Sequence, residues 1–112
     1  MAMYTYTIVL HVAANSNVQL PVFTGLTGIQ MRLFRVITAL DSAAGMNVLM
    51  KLVKGDHDIL PQNGFLRILQ NPVYYDVDEI ISSGDRIEAK IVNQDTVNEH
   101  DIYVVLQFEV IG

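Results

Sequence analysis

The segment 101–111 alternates between apolar and mostly polar side chains. One face carries only apolar residues, namely Ile102, Val104, Leu106, Phe108 and Val110. The other face carries Tyr103, Val105, Gln107 and Glu109. A period of two is what an extended strand needs in order to bury one side. The alternation therefore predicts a long β-strand. The segment 84–93, joined to it by the polar residues 94–100, is predicted to be its antiparallel hairpin partner.

The same period recurs near the start of the chain. The predicted buried face of this first strand carries Tyr4, Tyr6, Ile8, Leu10 and Val12. The segment 18–23 is predicted to be a short strand, with Pro21 at a sheet edge or a bulge because proline cannot donate a ladder hydrogen bond. Further strands are predicted at 46–54, 65–69 and 73–77. The predicted turns, loops and bends lie at 15–17, 24–28, 41–45, 55–58, 60–64, 70–72 and 78–83.

The segment 29–40 fits two kinds of structure. Its strand-like alternation places Ile29, Met31, Leu33, Arg35 and Ile37 on one face. A helix would instead bring together Leu33, Phe34, Ile37 and Leu40. We predict a strand, because the clear elements nearby have period two and an isolated helix would have to fit into a sheet layer.

The number and spacing of these strands indicate the fold class. About eight strands with turns every 8 to 12 residues are typical of two-sheet sandwiches and jelly rolls. We therefore predict an all-β chain that forms a single antiparallel β-sandwich of the jelly-roll type. At 112 residues, the whole of 1–112 is expected to form one domain.

Charge is scarce in this sequence and unevenly distributed. Only 17% of the residues are charged, below the roughly 25% of typical domains, which favours a chain that hides surface against partners. No charged residue precedes Arg32; residues 32–54 carry a net charge of +3 and residues 55–112 a net charge of −8. Two interpretations are open: the unlike halves steer contacts between neighbouring subunits, or they pair within one fold.

Features that the sequence lacks argue against several kinds of partner and chemistry. A net charge of −5 argues against nucleic-acid binding, which needs a basic face. The absence of cysteine removes disulfides and thiolate chemistry. The first twelve residues have no positive n-region and too short an apolar run for a membrane span. We expect the protein to be made in the cytoplasm. We expect no association with a membrane.

The sequence gives only weak support for a catalytic or metal-binding site. His11, His57 and His100 have no ligand spacing, and the Asp56–His57–Asp58 turn offers Ca²⁺ too few oxygens. A second acidic group, at 76–79, could be argued as a carboxylate pair for glycoside hydrolysis, but charged residues at a strand end are the simpler interpretation. We expect no catalytic residues, no metal, no cofactor and no enzymatic activity.

Aromatic residues leave a binding role open. The chain has no tryptophan, and its only adjacent aromatic pair is Tyr74–Tyr75, of which alternation buries one and exposes the other. An exposed tyrosine is weak support for a carbohydrate site. It serves equally well at a protein interface, where tyrosine is enriched.

Residues 29–112 resemble the small jelly-roll decoration, or cement, proteins on the heads of tailed bacteriophages. The segments that carry the resemblance are 33–37, 46–53, 65–73, 81–87, 91–93 and the final strand. The resemblance implies a non-enzymatic virion protein on the capsid exterior that binds the major capsid protein and stabilises the shell. It also implies a homo-oligomer, with a homotrimer favoured, made in the host cytoplasm.

The residues predicted to lie at these contacts come from the uncharged first 31 residues and from the tyrosine pair. They are Tyr4, Tyr6, Val9, Val18, Leu20, Pro21, Phe23, Tyr74 and Tyr75. For the first segment, simple core strands are the competing interpretation. Two other functions stay open: a carbohydrate-binding or adhesin module, and a structural protein of the phage tail or baseplate.

Overall fold

The computed structural model describes residues 2–42 and 47–112, where all regular structure is β-strand. The nine strands are β1 (Met3–Val12), β2 (Ser16–Thr24), β3 (Met31–Leu40), β4 (Val48–Lys54), β5 (His57–Leu60), β6 (Leu66–Arg67), β7 (Val73–Ile81), β8 (Arg86–Asn93) and β9 (His100–Val110). Within the described residues, no helix is long and apolar enough to cross a membrane. The all-β prediction is confirmed, and the ambiguous segment 29–40 forms a strand.

The strands form two antiparallel sheets that make a sandwich. The first sheet has four strands in the order β1-β9-β3-β7. The second has five, in the order β2-β8-β4-β5, with β6 also paired to β4. The chain crosses from one sheet to the other at every connection except those within β4–β6. This interleaving is the jelly-roll arrangement, so the predicted fold class is confirmed.

The predicted hairpin between the last two long strands is wrong. β9 pairs with β1 and β3 in the four-stranded sheet, whereas β8 pairs with β2 and β4 in the five-stranded sheet. Alternation identifies the side chains that turn inward, but it does not identify the neighbouring strand. The connection at 94–99 is long enough to cross the roughly 10 Å between stacked sheets.

The core lies between the two sheets and is filled by the inward positions of the long strands. Its largest fully buried side chains include Phe108, Met31, Leu33, Met50 and Leu52. β1 keeps the predicted alternation along its whole length, with even positions turned inward and odd positions exposed. Burial of this continuous apolar layer is the main force that holds the two sheets together.

A bulge in β3 changes which of its side chains face the core. Its pairing with both neighbours shifts between Leu33 and Arg35. Beyond this point Val36 is buried, while Arg35 and Ile37 are only half-buried. The predicted alternation is therefore right up to Leu33 and wrong beyond it, since a bulge inserts one extra residue into the strand.

Several predicted boundaries also differ from the structure. His57 and Asp58, predicted in a turn, belong to β5, and the predicted strand 65–69 is reduced to the two residues of β6. β7 runs four residues beyond the predicted end at 77, through residues predicted to bend. The acidic residues in this extension are tolerated there because β7 is an edge strand.

Two further predictions about strands and turns concern β2 and β4. Pro21 lies on the edge strand β2 beside a register shift, which confirms its predicted setting at an edge or bulge. The predicted strand 46–54 appears as β4 from Val48 onward. Residues 43–46, which hold most of the predicted loop at 41–45 and the start of that strand, lie outside the described residues.

Candidate functional site

The residues predicted to contact partners fall in three parts of the molecule. A groove between the edge strands β1 and β2 is lined by four of them: Tyr4, Tyr6, Pro21 and Phe23. The outer face of the four-stranded sheet carries two more, Val9 and Tyr74. The last three are half-buried: Val18 and Leu20, which pack against the core, and Tyr75. The structure therefore does not bring all nine together on one surface.

The groove between β1 and β2, here called the edge groove, contains an aromatic cluster that belongs mainly to the core. Its volume is about 450 Å³. The ring of Phe23 lies 4.8 Å from that of Phe108 and 5.1 Å from that of Tyr6, measured between centroids. Phe23 is buried, whereas Tyr4 and Tyr6 are half-buried. The tyrosines therefore combine core packing with partial access from the groove.

The outer face of the four-stranded sheet carries a continuous uncharged region, here called the apolar face. Its members are Val9, Ile37, Ala39, Tyr74, Tyr103 and Val105. Cross-strand pairing joins them, since Val9 lies opposite Tyr103 and Ile37 lies opposite both Val105 and Tyr74. Tyr74 is 63% exposed, Val9 51% and Tyr103 42%. An exposed apolar region of this kind marks an interaction site in many proteins.

The other half of the same outer face is polar and internally neutralised. Arg32 donates a hydrogen bond of 2.9 Å to Glu109 and lies 3.6 Å from Asp78. The hydrogen bond with Glu109 raises the pKa of the Arg32 guanidinium. Arg35 lies 3.7 Å from Asp76. These pairs neutralise the charges at this end of the sheet, and none of them lies within the apolar face.

The uneven charge of the sequence is resolved by pairing within the fold. The four basic residues between 32 and 54 each contact an acid from the later part of the chain: Arg32, Arg35, Lys51 and Lys54. Lys51 lies 3.0 Å from Asp58, and Lys54 lies 2.8 Å from Glu79. Of the two interpretations of the charge pattern, the one in which unlike charges pair within one fold is confirmed.

The two acidic groups noted in the sequence meet in one cleft. This cleft, between β5 and β7, has a volume of about 800 Å³ and is lined by His57, Asp58, Asp76, Asp78 and Glu79. Glu79 contacts both His57 and Lys54 at 2.8 Å. Within residues 2–42 and 47–112, no group of three or more His, Cys, Asp or Glu side chains is arranged to hold a metal ion. The acids act here as partners of cations along two sheet edges.

A polar cluster that the sequence analysis missed lies at the end of the sandwich where β3 ends and β9 begins. We call it the loop cluster; it comprises Asp41, Asn93, Asp95, Asn98 and His100. The side chain of His100 is 2% exposed, and its ring nitrogens lie 2.9 Å from a carboxylate oxygen of Asp41 and of Asp95. The alternation of β9 contained the signal, since His100 is in phase with Ile102 and the other buried even positions.

The remaining contacts of the loop cluster hold the loop at 94–99 in place. Asn93 donates hydrogen bonds to the carbonyl oxygens of Ala13 and Asn98, and its side-chain oxygen accepts one from the Asp95 amide. The carboxylate of Asp95 accepts hydrogen bonds from the amides of Val97 and Asn98. The cluster therefore connects the loop after β1, the loop after β3 and the loop at 94–99. Each of its carboxylates and side-chain amides has a hydrogen-bond partner, as expected of buried polar groups.

The loop cluster shifts the pKa of its ionisable groups. The hydrogen bond with His100, aided by the amides of Val97 and Asn98, holds the pKa of the Asp95 carboxyl well below its ordinary value. Burial opposes the charge on His100, but the hydrogen bonds with Asp41 and Asp95 outweigh it and raise the pKa of the imidazole. Burial also opposes ionisation of Asp41, yet its bond with His100 helps lower that pKa. The geometry thus favours a charged imidazolium between two carboxylates.

The exposed His11 has a similar but weaker setting on the outer surface. Its ring lies 2.7 Å from Asp101 and 3.3 Å from Glu99. The hydrogen bond with Asp101 raises the pKa of the His11 imidazole. Because all three side chains are well exposed, solvent screens this interaction.

Comparison with known proteins identifies similar folds but no family. No protein-family model and no curated protein matches this sequence. A chain of the tomato aspermy virus crystal structure is similar over 96% of this chain and 79% of its own, with 10% identity and a TM-score of 0.56. The mitogen derived from Yersinia pseudotuberculosis is similar over 92% of this chain and 84% of its own, with 14% identity and a TM-score of 0.47. A CBM4 structure is similar over 94% of this chain and 81% of its own, with 11% identity and a TM-score of 0.41. At such identities the likeness concerns the fold alone.

Proposed function

We propose that this chain is a non-enzymatic decoration (cement) subunit of a tailed-phage head, which binds the outer surface of the major capsid protein through its apolar face and stabilises the shell. The observation that carries the proposal is the apolar face itself. Its six side chains are uncharged, and Tyr74, Val9 and Tyr103 are the most exposed of them. Burying such a surface against another protein provides hydrophobic stabilisation without desolvating an ion.

The fold suits this role. A sandwich of long paired strands is rigid, so it can connect neighbouring capsomers without a moving part. The jelly roll also occurs in tomato aspermy virus, so the architecture is compatible with a place in a virus particle. Together with the resemblance in residues 29–112, this supports the head surface over other sites of action. Localisation on the tail or baseplate by electron microscopy would contradict it.

The proposal is tested by co-sedimentation with empty capsids assembled from the major capsid protein of the same genome. We expect saturable binding at a fixed number of copies per particle. The variant Ile37→Lys introduces a charge at the centre of the apolar face and should abolish binding. Gln19→Lys adds the same charge at an exposed position of β2, on the other sheet, and should bind as the unmodified chain does. Absence of saturable binding by the unmodified chain would contradict the proposal.

A second candidate is a carbohydrate-binding module, favoured by two exposed tyrosine rings on one sheet face. Tyr74 and Tyr103 lie on strands that flank β3. The other member of the predicted pair, Tyr75, lies opposite the buried Val36 and turns inward. Glycan-array binding that is lost in both Tyr74→Ala and Tyr103→Ala would favour this candidate. The decoration role predicts no glycan binding.

A further inference from the structure

We infer that the free edge of β1 is a self-association site, where β1 of a second copy pairs antiparallel about a twofold axis and joins two four-stranded sheets into one. This inference does not rest on the capsid-binding role. An exposed sheet edge offers unpaired backbone N–H and C=O groups, and proteins usually protect it with charge, proline, a bulge or short length. The edges of this sandwich differ in that protection.

Three of the four edges carry such protection in the described part of the chain. β2 contains Pro21 and a register shift. β7 carries Asp76, Asp78 and Glu79, and its pairing with β3 contains a bulge. On the far side of the five-stranded sheet, β5 has only four residues and β6 two. Each of these edges is a poor template for another strand.

The β1 edge has none of these features. The strand is ten residues long and contains no Lys, Arg, Asp, Glu or Pro. It pairs with β9 through ten consecutive residues without a register shift. Its Tyr, Thr, Ile and Val residues favour extended structure. It is therefore a regular edge that can accept another strand along its full length. Its one residue held in an ion pair is His11, near the end of the strand, where Asp101 and Glu99 balance any charge on the imidazole.

Charge favours a second copy as the occupant. The chain carries a net charge of −5, so two copies repel wherever their acids meet. The opposite side of the sandwich carries acids on both edge strands, such as Asp58 on β5 and Asp76 on β7. β1 and β2 contain no charged residue of the Lys, Arg, Asp or Glu type. Two copies can therefore approach through this side without bringing like charges together.

A twofold axis at Thr7 satisfies the alternation of both strands. Thr7 then lies opposite its own counterpart and Tyr6 opposite Ile8, so that inward residues stay inward. Facing threonines stabilise an antiparallel pair. Tyr6 and Ile8 also line the edge groove, so the second copy would cover their accessible surface. A ring closed by joining four-stranded sheets edge to edge would instead pair β1 with the acidic β7.

The inference is tested by sedimentation equilibrium of the full chain over a wide concentration range. We expect a reversible monomer–dimer equilibrium. Thr7→Lys places two ammonium groups opposite each other at the axis and should raise the dissociation constant at least about tenfold. Ile37→Lys, on the apolar face away from the edge, should leave the dimer unchanged. Circular dichroism and thermal melting establish that each variant is folded.

Amide hydrogen exchange gives an independent measurement. At a free edge, the β1 amides that do not bond to β9 exchange rapidly; in the dimer they should become protected, and Thr7→Lys should restore rapid exchange. A monomer at all concentrations, a trimer, or a dimer that withstands Thr7→Lys but not Ile37→Lys would overturn the inference. Loss of capsid binding in a variant that still dimerises would concern the proposed function alone.

Discussion

His100 and Asp95 form a buried ion pair in which the imidazole Nε2 lies 2.9 Å from the carboxylate Oδ2. The other ring nitrogen lies 2.9 Å from Asp41, the residue that follows β3. A neutral imidazole has one N–H donor, so donation to both carboxylates requires the charged form. This pair ties the loop at 94–99 to two strands of the four-stranded sheet and makes the loop cluster sensitive to substitution.

Replacement of His100 by glutamine should destabilise the fold. The variant His100→Gln leaves the buried carboxylate of Asp95 without its cation, and we expect a loss of on the order of 3 kcal/mol in the free energy of unfolding. Urea denaturation measures this loss. The matched control is His11→Gln, because His11 also contacts two carboxylates but is well exposed. Equal losses in the two variants would contradict the role assigned to His100.

The loop cluster should also make stability depend on pH in both directions. The lowered pKa values of Asp41 and Asp95 contribute stability that is present above their ordinary values and lost as the pH falls through the lowered ones. The raised pKa of His100 contributes stability that is present below its ordinary value and lost as the pH rises through the raised one. The contribution should therefore be largest between about pH 4 and pH 6.5.

The difference in unfolding free energy between the unmodified chain and His100→Gln isolates this contribution from other titrating groups. Those nearest to the cluster include His11, Glu99 and Asp101, which both proteins share. We expect the difference to be greatest in the middle of that pH range and smaller on either side. A difference that does not change with pH would show that His100 acts by packing alone.

Gly25 packs directly against the turn between β7 and β8. Its amide donates a hydrogen bond of 2.7 Å to the carbonyl oxygen of Asp85. A Cβ atom at this position would lie 2.0 Å from the carbonyl oxygen of Ser82. Gly25→Ala should therefore lower the free energy of unfolding by at least about 2 kcal/mol, because backbone must move. Ser83→Ala, at an exposed position of the same turn, should stay within about 0.5 kcal/mol.

The adjacent tyrosines 74 and 75 should separate binding from stability. Tyr74 is 63% exposed on the apolar face, whereas Tyr75 turns inward. We expect Tyr74→Ala to weaken capsid binding while changing the unfolding free energy by less than about 0.5 kcal/mol. Tyr75→Ala should lower that free energy by about 1 to 2 kcal/mol, since it removes half-buried apolar area. If Tyr74→Ala lowered only the unfolding free energy and Tyr75→Ala weakened only capsid binding, the apolar face would be excluded as the docking surface.

The sequence predicts the orientation of side chains in this fold better than the pairing of strands. The alternation of β1 and β9 identified their buried faces, and the Tyr74–Tyr75 step was resolved as expected. The partner of β9 could not be obtained in this way, because β1 and β3 are distant in sequence and a hairpin with β8 satisfies the same pattern. The bulge near Leu33 also has no local signal, so the outward turn of Ile37 was missed.

The same limitation applies to the candidate sites. The apolar face depends on register across four strands, which places Val9 beside Tyr103 and Ile37 beside Tyr74. No segment of the sequence contains that juxtaposition. The acidic cleft likewise joins residues near 57 and 76 that only the sandwich brings together. The buried His100 is different, because its phase within β9 already indicated an inward side chain.

The most direct test of the account is an electron-microscopic reconstruction of capsids decorated with this chain. We expect the four-stranded sheet to face the shell, with the exposed rings of Tyr74 and Tyr103 in contact with the major capsid protein. The five-stranded sheet should then face outward. Decoration through the five-stranded sheet, or particles without added density at saturating protein, would contradict the central claim that the apolar face is the docking surface.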